Sequence, residues 1–500
     1  MNVQSTVPSV LQQNQAVDES QDTVLNTIRL EPTSTSQVTT SFVLPKSGSV
    51  LDSNSSLIWS IGWDAFDAGK NDGNQLVCLK QFSGGLNSIR RARFYVGGRL
   101  LFTNPDVALT SFIHKLGTNP DHAEQVSDVK LGSQHGYYDS TNGRIKAAED
   151  VSNQLTNNRL CRQLGSYSVV PTANFSWECT LLLSEAFPAL KHLQIPIKHL
   201  TDEVRIEIDW ETGFNEVATI ISEVNDQILP ADQRISINNP LLFLDYLTYN
   251  EEVEMGLATA AAQGITLPYR EINMISRTLP ATNTLALNTQ DILLGFQGKL
   301  LMKVYVSHRF NDNLAAADQP ASYQKLNGRC RCDRGQNFKY NLTVNDLHIH
   351  DSLVDTPSQT HSYMAMTAES PINVFPNTYD FNSKYAIGSA GTDINFAQMV
   401  VSGQTNNGAN NGLSDAQARD GISGTQAWIG FDLSRYGVDG GLNPQNSGYR
   451  VGSTPMVLQL EQQGSTTADT RQRLSKRVDV ICESVKILQI RNGLADTMDA

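Results

Sequence analysis

The stretch Ser176–Trp210, SWECTLLLSEAFPALKHLQIPIKHLTDEVRIEIDW, constrains the fold of this chain more than any other. Trp177 to Leu183 is an apolar run too short for a domain helix and suited to a buried strand. A compact bend with a Phe-Pro pair follows at Ala186 to Leu190. Pro196 has no N–H, so Leu193 to Ile197 cannot be a helix interior. Val204-Arg205-Ile206-Glu207-Ile208-Asp209-Trp210 then alternates apolar and charged residues with period two. That pattern predicts a strand with one face on a core and one in water. The whole stretch reads as the closing half of a β-sandwich.

The same signals recur along the chain. Strands are predicted at Val38–Leu44, ended by Pro45, and at Leu57–Trp63. Ile89–Val96 is a third, followed by a hairpin turn at Gly97-Gly98 and a return from Arg99 to Phe102. Later strands are predicted at Leu241–Tyr249, Thr266–Ile275, Asp291–Phe296, Lys299–Val306, Phe338–Leu347, Trp428–Leu433, Pro455–Leu460 and Val478–Ile490. Glu251–Ala262 is the best helix, built of Ala, Glu, Met and Leu and stopped by Gly264. Residues 105–170 read as a short helix within a long surface loop, and 388–425 as a second long loop.

A chain of 500 residues exceeds one ordinary core. The order of features supports two. Around the opening stretch they are a strand with Trp177, a bend, the alternating strand Val204–Ile208 and the long strand Leu241–Tyr249. Near the end they are a strand with Trp428, a bend at Tyr436-Gly437, the strand Val457–Leu460 and the long strand Val480–Ile490. Ile89–Val96 finds its counterpart in Leu300–Val306. The expected class is therefore all-β, with two consecutive jelly-roll sandwiches, long loops and a few short helices. Residues 1–37 form a polar arm, acidic through Asp18, Glu19, Asp22 and Glu31 against Arg29. Residues 38–250 are the first jelly roll, 251–264 a helical linker and 265–500 the second jelly roll.

These motifs in this order resemble double-jelly-roll major capsid proteins, nearest to those of virophages and Polinton-like viruses. The residues that carry the likeness are NSIRRARFYVGGR at Asn87–Arg99, the LLLSEAFPALKHLQIPIKHLTDEVRIEIDW segment and PLLFLDYLTY. In the second half they are ILLGFQGKLLMKVYVSHR at Ile292–Arg309, the GFDLSRYG turn and the terminal VICESVKILQIRNG. The resemblance implies a shell protein whose homotrimer has a pseudo-hexameric outline and tiles an icosahedral capsid. Partners would be further copies, then penton and minor capsid proteins. The location would be the virion, assembled inside the host cell.

Other chemistries find less support. The net charge of −13 gives no general case for binding phosphate backbones. No apolar run reaches transmembrane length, and the first residues lack the basic and apolar regions of a secretory signal. Six cysteines in 500 residues fit a reducing compartment. HExxH, GxSxG and Walker A motifs are absent, so no catalytic residue and no cofactor is assigned. Cys330 and Cys332, with His348 and His350, form C-x-C and H-x-H pairs that a zinc ion can use. Half-buried cysteines and solvated histidines are the preferred reading, and no metal is assigned. The basic run Arg471 to Arg477 reads as a solvated hairpin between two strands or as an intersubunit contact with an acidic neighbour, and Arg90, Arg91 and Arg93 read as lateral ion-pair residues, rather than as nucleic-acid sites. Asp64 to Gln75 fails the EF-hand positions and reads as a turn. Asn54, Asn174 and Asn341 head glycosylation triplets that chance explains.

The function expected is therefore a non-enzymatic major capsid protein. One alternative is another virion protein, a penton, spike or receptor-binding sandwich, which would carry one jelly roll and an unrelated head. The other is a carbohydrate-binding or glycan-active sandwich, which would expose aromatics and clustered carboxylates.

Overall fold

The computed structural model describes residues 23–64, 75–79, 84–116, 163–167, 176–191, 193–222, 234–280, 287–310, 338–349, 353–355, 429–434, 448–463 and 476–500. The first half holds β1 (Thr23–Leu30), β2 (Ser34–Thr35), β3 (Thr39–Leu44), β4 (Val50–Leu51), β5 (Ser56–Asp64), β6 (Gln75–Leu79), β7 (Ile89–Val96), β8 (Arg99–Asn104), β9 (Gln163–Tyr167), β10 (Trp177–Leu182), β11 (Val204–Trp210), β12 (Ala218–Ser222) and β13 (Arg234–Tyr249). After the helix Glu251–Gln263 come β14 (Ile265–Leu279), β15 (Leu287–Leu294), β16 (Leu300–Phe310), β17 (Phe338–Val344), β18 (Leu347–His348), β19 (Val354–Asp355), β20 (Ile429–Asp432), β21 (Tyr449–Arg450), β22 (Met456–Gln463), β23 (Lys476–Arg491) and β24 (Leu494–Asp499).

Two sheets close each half. In the first they are β1-β13-β5-β10 and β3-β11-β7-β8; in the second, β14-β23-β16-β20 and β15-β22-β17-β18. Counted in chain order, the eight strands of each half give the same paths, 1-8-3-6 and 2-7-4-5. Every pairing is antiparallel. The chain is thus a double jelly roll, as its sequence pattern predicts.

The path also corrects one pairing of the repeat. The counterpart of β7 is β17, not Leu300–Val306; the latter, in β16, occupies the place of β5. Both are apolar strands interrupted by basic residues, so composition does not separate them; connectivity does. Residues 23–35, inside the stretch expected to be an arm, form β1 and β2, and β1 pairs with β13 along its length. Residues 234–240, expected in a polar connection, begin β13. There Asn239 takes φ 48° and Pro240 has no N–H, and the pairing with β5 shifts between Asn238 and Leu241. A breaker pair by composition is a bulge inside a strand. Pro268 sits in β14, an edge strand, where a missing donor is tolerated.

Local rules set the other elements. The linker helix is capped by Asn250 Oδ1, which accepts from Val253 N at 2.9 Å, and ends at Gly264 with φ 127°. The β7–β8 hairpin turns on Gly97 and Gly98, at φ 56° and 80°. Trp59 and Trp210 meet in the first core with ring centroids 5.9 Å apart. Their indole N–H groups donate to Ser88 Oγ and Thr40 Oγ1, so each buried polar tip is satisfied.

Each sandwich has its own core, and an apolar seam joins them. Ile265, Leu267 and Tyr269 of β14 and Leu488 and Ile490 of β23 belong to the apolar cluster of the first sandwich. Rings run across the seam from Phe187 to Phe94, Phe102 and Tyr269, with centroids 6.0, 5.3 and 4.8 Å apart in turn. Backbone bonds add to this: Thr201 N donates to Gly493 O at 2.8 Å, and Asn492 N to Ala261 O at 3.0 Å. The opening stretch therefore does two jobs. Its strands close the first sandwich, and the turns at Pro188–Lys191 and Ile197–His199 support β14 and the linker helix.

A third sheet, β12-β6-β9, draws one strand from each of three connections. Asp64 at the end of β5 pairs with Arg234 at the start of β13, and Ile61 with Trp177 at the start of β10. All three connections thus reach the same end of the first sandwich.

Candidate assembly surfaces

The outer face of β3-β11-β7 is an ion-pair ladder. Alternation puts Ile206 and Ile208 inward and Arg205, Glu207 and Asp209 outward, opposite Tyr95, Arg93 and Arg91 of β7. Arg91 Nε and Arg93 Nη2 donate to Asp209 at 2.8 and 2.6 Å, and Thr39 Oγ1 donates to it at 3.1 Å. Arg93 and Arg205 also reach Glu207, at 3.2 and 3.3 Å, and Arg205 lies over the Tyr95 ring. Burial pushes the Asp209 carboxyl up, but the bonds from Arg91 and Arg93 outweigh it and hold it below its ordinary value. Sequence alternation predicts a water-facing charged row; instead Glu207 and Asp209 are largely covered by their arginine neighbours. Arg91 and Arg93 are engaged within the chain, in ion pairs with the neighbouring strand β11.

The outer face of β1-β13-β5-β10 is different. Leu241, Phe243 and Leu247 of β13, Ile58 of β5 and Leu182 of β10 are half-buried there, and Leu25 of β1 is 57% exposed. The face is mixed: Asp245 of β13, Ser56 and Ser60 of β5 and Glu178 and Thr180 of β10 share it, and Thr27 Oγ1 donates to Asp245 Oδ1 there at 2.6 Å. The equivalent face of the second sandwich is buried: Ile272, Tyr305, Ile481, Glu483 and Val485 are 2–3% exposed.

At the seam, Glu254 of the linker helix lies 3.0 Å from Lys198 Nζ and 3.3 Å from His199 Nε2. Burial lowers the His199 pKa, and Glu254 only partly offsets it. Burial raises that of Glu254, but bonds from Ser49 and Lys198 bring it below its ordinary value. Nothing in the linker sequence beyond a helical glutamate signals this cluster.

The remaining sequence candidates do not converge. His348 is exposed, with Nδ1 2.9 Å from Thr343 Oγ1; Cys330, Cys332 and His350 lie outside the described residues. Among the described residues no group of three or more His, Cys, Asp or Glu is placed to hold a metal. In the basic run, Arg477 Nε donates to the buried Asp479 at 2.9 Å, and residues 471–475 lie outside the described residues. Asn341 is 3% exposed within β17, and Asn54 sits in an exposed turn; Asn174 lies outside the described residues. Of the Asp64–Gln75 segment only the two strand ends are described. Trp59 and Trp210 are core residues, which leaves them unfit as a sugar platform. No helix among the described residues is long and apolar enough to cross a membrane.

No protein-family model and no curated protein matches the sequence. Solved structures do match the fold. A chain in the cryo-EM structure of the Sputnik virophage aligns with TM-score 0.58 at 12% identity, covering 100% of this chain and 93% of that one. The Faustovirus major capsid protein aligns with TM-score 0.52 at 11% identity, covering 94% and 90%. The mavirus major capsid protein aligns with TM-score 0.51 at 13% identity, again covering 94% and 90%. At these identities the likeness establishes a shared double-jelly-roll fold over nearly the whole of each chain.

Proposed function

We propose that the chain is a major capsid protein, forming homotrimeric pseudo-hexagonal capsomers that tile the icosahedral shell of a DNA virus. The observation that carries this is the twice-used strand order, 1-8-3-6 with 2-7-4-5, in two sandwiches that each have a core and meet along an apolar seam. A trimer of such chains presents six similar blocks around one axis, and cyclic closure with heterologous lateral contacts builds a lattice. The Faustovirus and mavirus proteins of the same fold are named as major capsid proteins. The role is structural: its work is burial and shape at interfaces. Penton and minor capsid proteins would complete the shell, in a virion assembled inside the host cell. Two units, near residues 23–250 and 265–500 with the helix between, are the blocks of this reading. A single-sandwich spike or penton is disfavoured by the repeat.

The test is size-exclusion chromatography with light scattering on the purified full chain, with negative-stain imaging of the same fractions. Trimers or shells of hexagonal units are expected. A stable monomer at micromolar concentration overturns the proposal.

A further inference from the structure

We infer that Lys299 and Asn273 are the two ends of a self-formed amide cross-link in the second sandwich, with Glu271 carrying the protons. This goes beyond the capsid reading and does not depend on it.

The strands bring the three side chains together. Glu271 and Asn273 are two positions apart on β14, so they share a face. They stand in register with Ser484 and Cys482 of β23, and Cys482 belongs to the second core. Lys299 enters from the turn before β16, where its backbone is fixed. Lys299 N donates to Phe296 O at 3.1 Å, and Lys299 O accepts from Val451 N at 3.0 Å. Its side chain spans the width of β23, which lies between β14 and β16. Lys299 Nζ then donates to Glu271 Oε2 at 3.2 Å and to Asn273 Oδ1 at 3.4 Å.

The carboxamide is seated as a reactant would be. Asn273 Nδ2 donates to the same Glu271 oxygen at 3.0 Å and to Ser484 Oγ at 3.2 Å. Lys486 Nζ holds the other Glu271 oxygen, Oε1, at 2.7 Å. One carboxylate oxygen therefore touches both the amine and the amide nitrogen, which is what a proton relay needs. Burial pushes the Glu271 carboxyl up, but the bonds from Lys486 and Asn273 outweigh it and hold it below its ordinary value. It is thus ionised and able to take a proton. The site is largely covered: the Lys299 and Glu271 side chains are 21% and 11% exposed, and Lys299 lies over the buried Phe296 ring. An ion pair needs only the lysine and the carboxylate; here an amide carbonyl is held against the same ammonium.

The reaction balances without an oxidant. Glu271 Oε2 takes a proton from the Lys299 ammonium, and the freed lone pair attacks Asn273 Cγ. The Nζ–Cγ bond forms and the Cγ–Nδ2 bond breaks. Nδ2 leaves as ammonium, carrying the two protons that Nζ gives up through Glu271, and Glu271 ends as it began. The product ties β14 to the turn before β16 across β23. Like a disulfide it restricts the unfolded chain, but reductants do not open it.

Intact-mass spectrometry of the purified full chain after incubation at neutral pH, with peptide mapping, tests this. The wild type should weigh one ammonia less than its sequence, and the loss should lie in two joined peptides, one holding Asn273 and the other Lys299. Lys299→Arg keeps a cation beside Glu271, and Glu271→Gln keeps the shape of the carboxylate; both should show the full sequence mass. A wild type at the full sequence mass overturns the proposal, and this reading needs no variant to fold. An ammonia loss that maps elsewhere, or that survives in Lys299→Arg, overturns it too. A loss that survives in Glu271→Gln overturns the relay assigned to Glu271.

Discussion

Replacing Gly493 with alanine tests whether the seam between the sandwiches is as close as the geometry states. Gly493 has φ 77°, and a Cβ there would stand 2.5 Å from Thr201 Cγ2, 3.1 Å from Thr201 N and 3.2 Å from His199 O. The left-handed conformation alone costs a residue with a Cβ about 1–3 kcal/mol. Forcing a methyl against a packed neighbour adds about 1–3 kcal/mol. Thr201 cannot simply retreat, because its N–H and hydroxyl both donate to Gly493 O, at 2.8 and 3.1 Å. Gly98 supplies the control: its φ is 80°, and nothing lies within 4 Å of its would-be Cβ. Gly98→Ala should cost the backbone penalty only, and Gly493→Ala about 1–3 kcal/mol more. Urea titrations followed by tryptophan fluorescence, with Trp59 and Trp210 as reporters in the first core, measure the difference. Adding Thr201→Ser to Gly493→Ala removes the clashing methyl and should recover much of the steric part. Equal losses for the two glycine variants would refute the claim that the seam is sterically closed.

Three further outcomes follow from the side chains. Asp209→Ala leaves Arg91 and Arg93 without their shared carboxylate and should cost about 1–3 kcal/mol by chemical denaturation, whereas Arg91→Ala, on a side chain 48% exposed, should cost under about 1 kcal/mol. Asn104→Ala removes a buried amide that donates to Thr110 Oγ1 and Ala186 O at 2.8 and 2.9 Å, and should cost about 2–4 kcal/mol in the same assay. The His199 pKa lies below 6.5, so its contribution to stability is full above that pH and fades as pH falls through the folded value. Glu254 and Asp209 lie below 4.5 and 3.8, so their contributions are lost at still lower pH. His199→Gln should therefore flatten the melting profile just below pH 6.5 and leave the more acidic limb intact; an unchanged profile there would show that His199 does not titrate with unfolding.

Local chemistry was legible in the sequence where it acts over a few residues. The Gly97-Gly98 turn, the β7 and β11 boundaries and the Glu251 helix all follow from such signals. What escaped depends on partners far along the chain. β1 lies at the end of a polar-rich stretch and shows no clean alternation, and it is drawn into the sheet by β13, which pairs with it along its length; Thr27 donates to Asp245 across 218 positions. The exchange of β16 for β17 in the repeat arose for the same reason, since strand order is a property of pairing and not of composition. Alternation along Val204–Trp210 placed the charged face correctly but not its dryness, which Arg91 and Arg93 supply from another strand.

The third sheet has a consequence for how such a chain can vary. β6 holds β9 on one edge and β12 on the other, so three insertions from three connections are tied together through one middle strand. The length of a connection adds little entropy of closure, and this third sheet lies at one end of the first sandwich. Segments there can lengthen or exchange residues while the frame keeps its strand order. Losing β6 alone, by contrast, would strand its two neighbours at once. A change in β6 is thus felt by strands from all three connections at once.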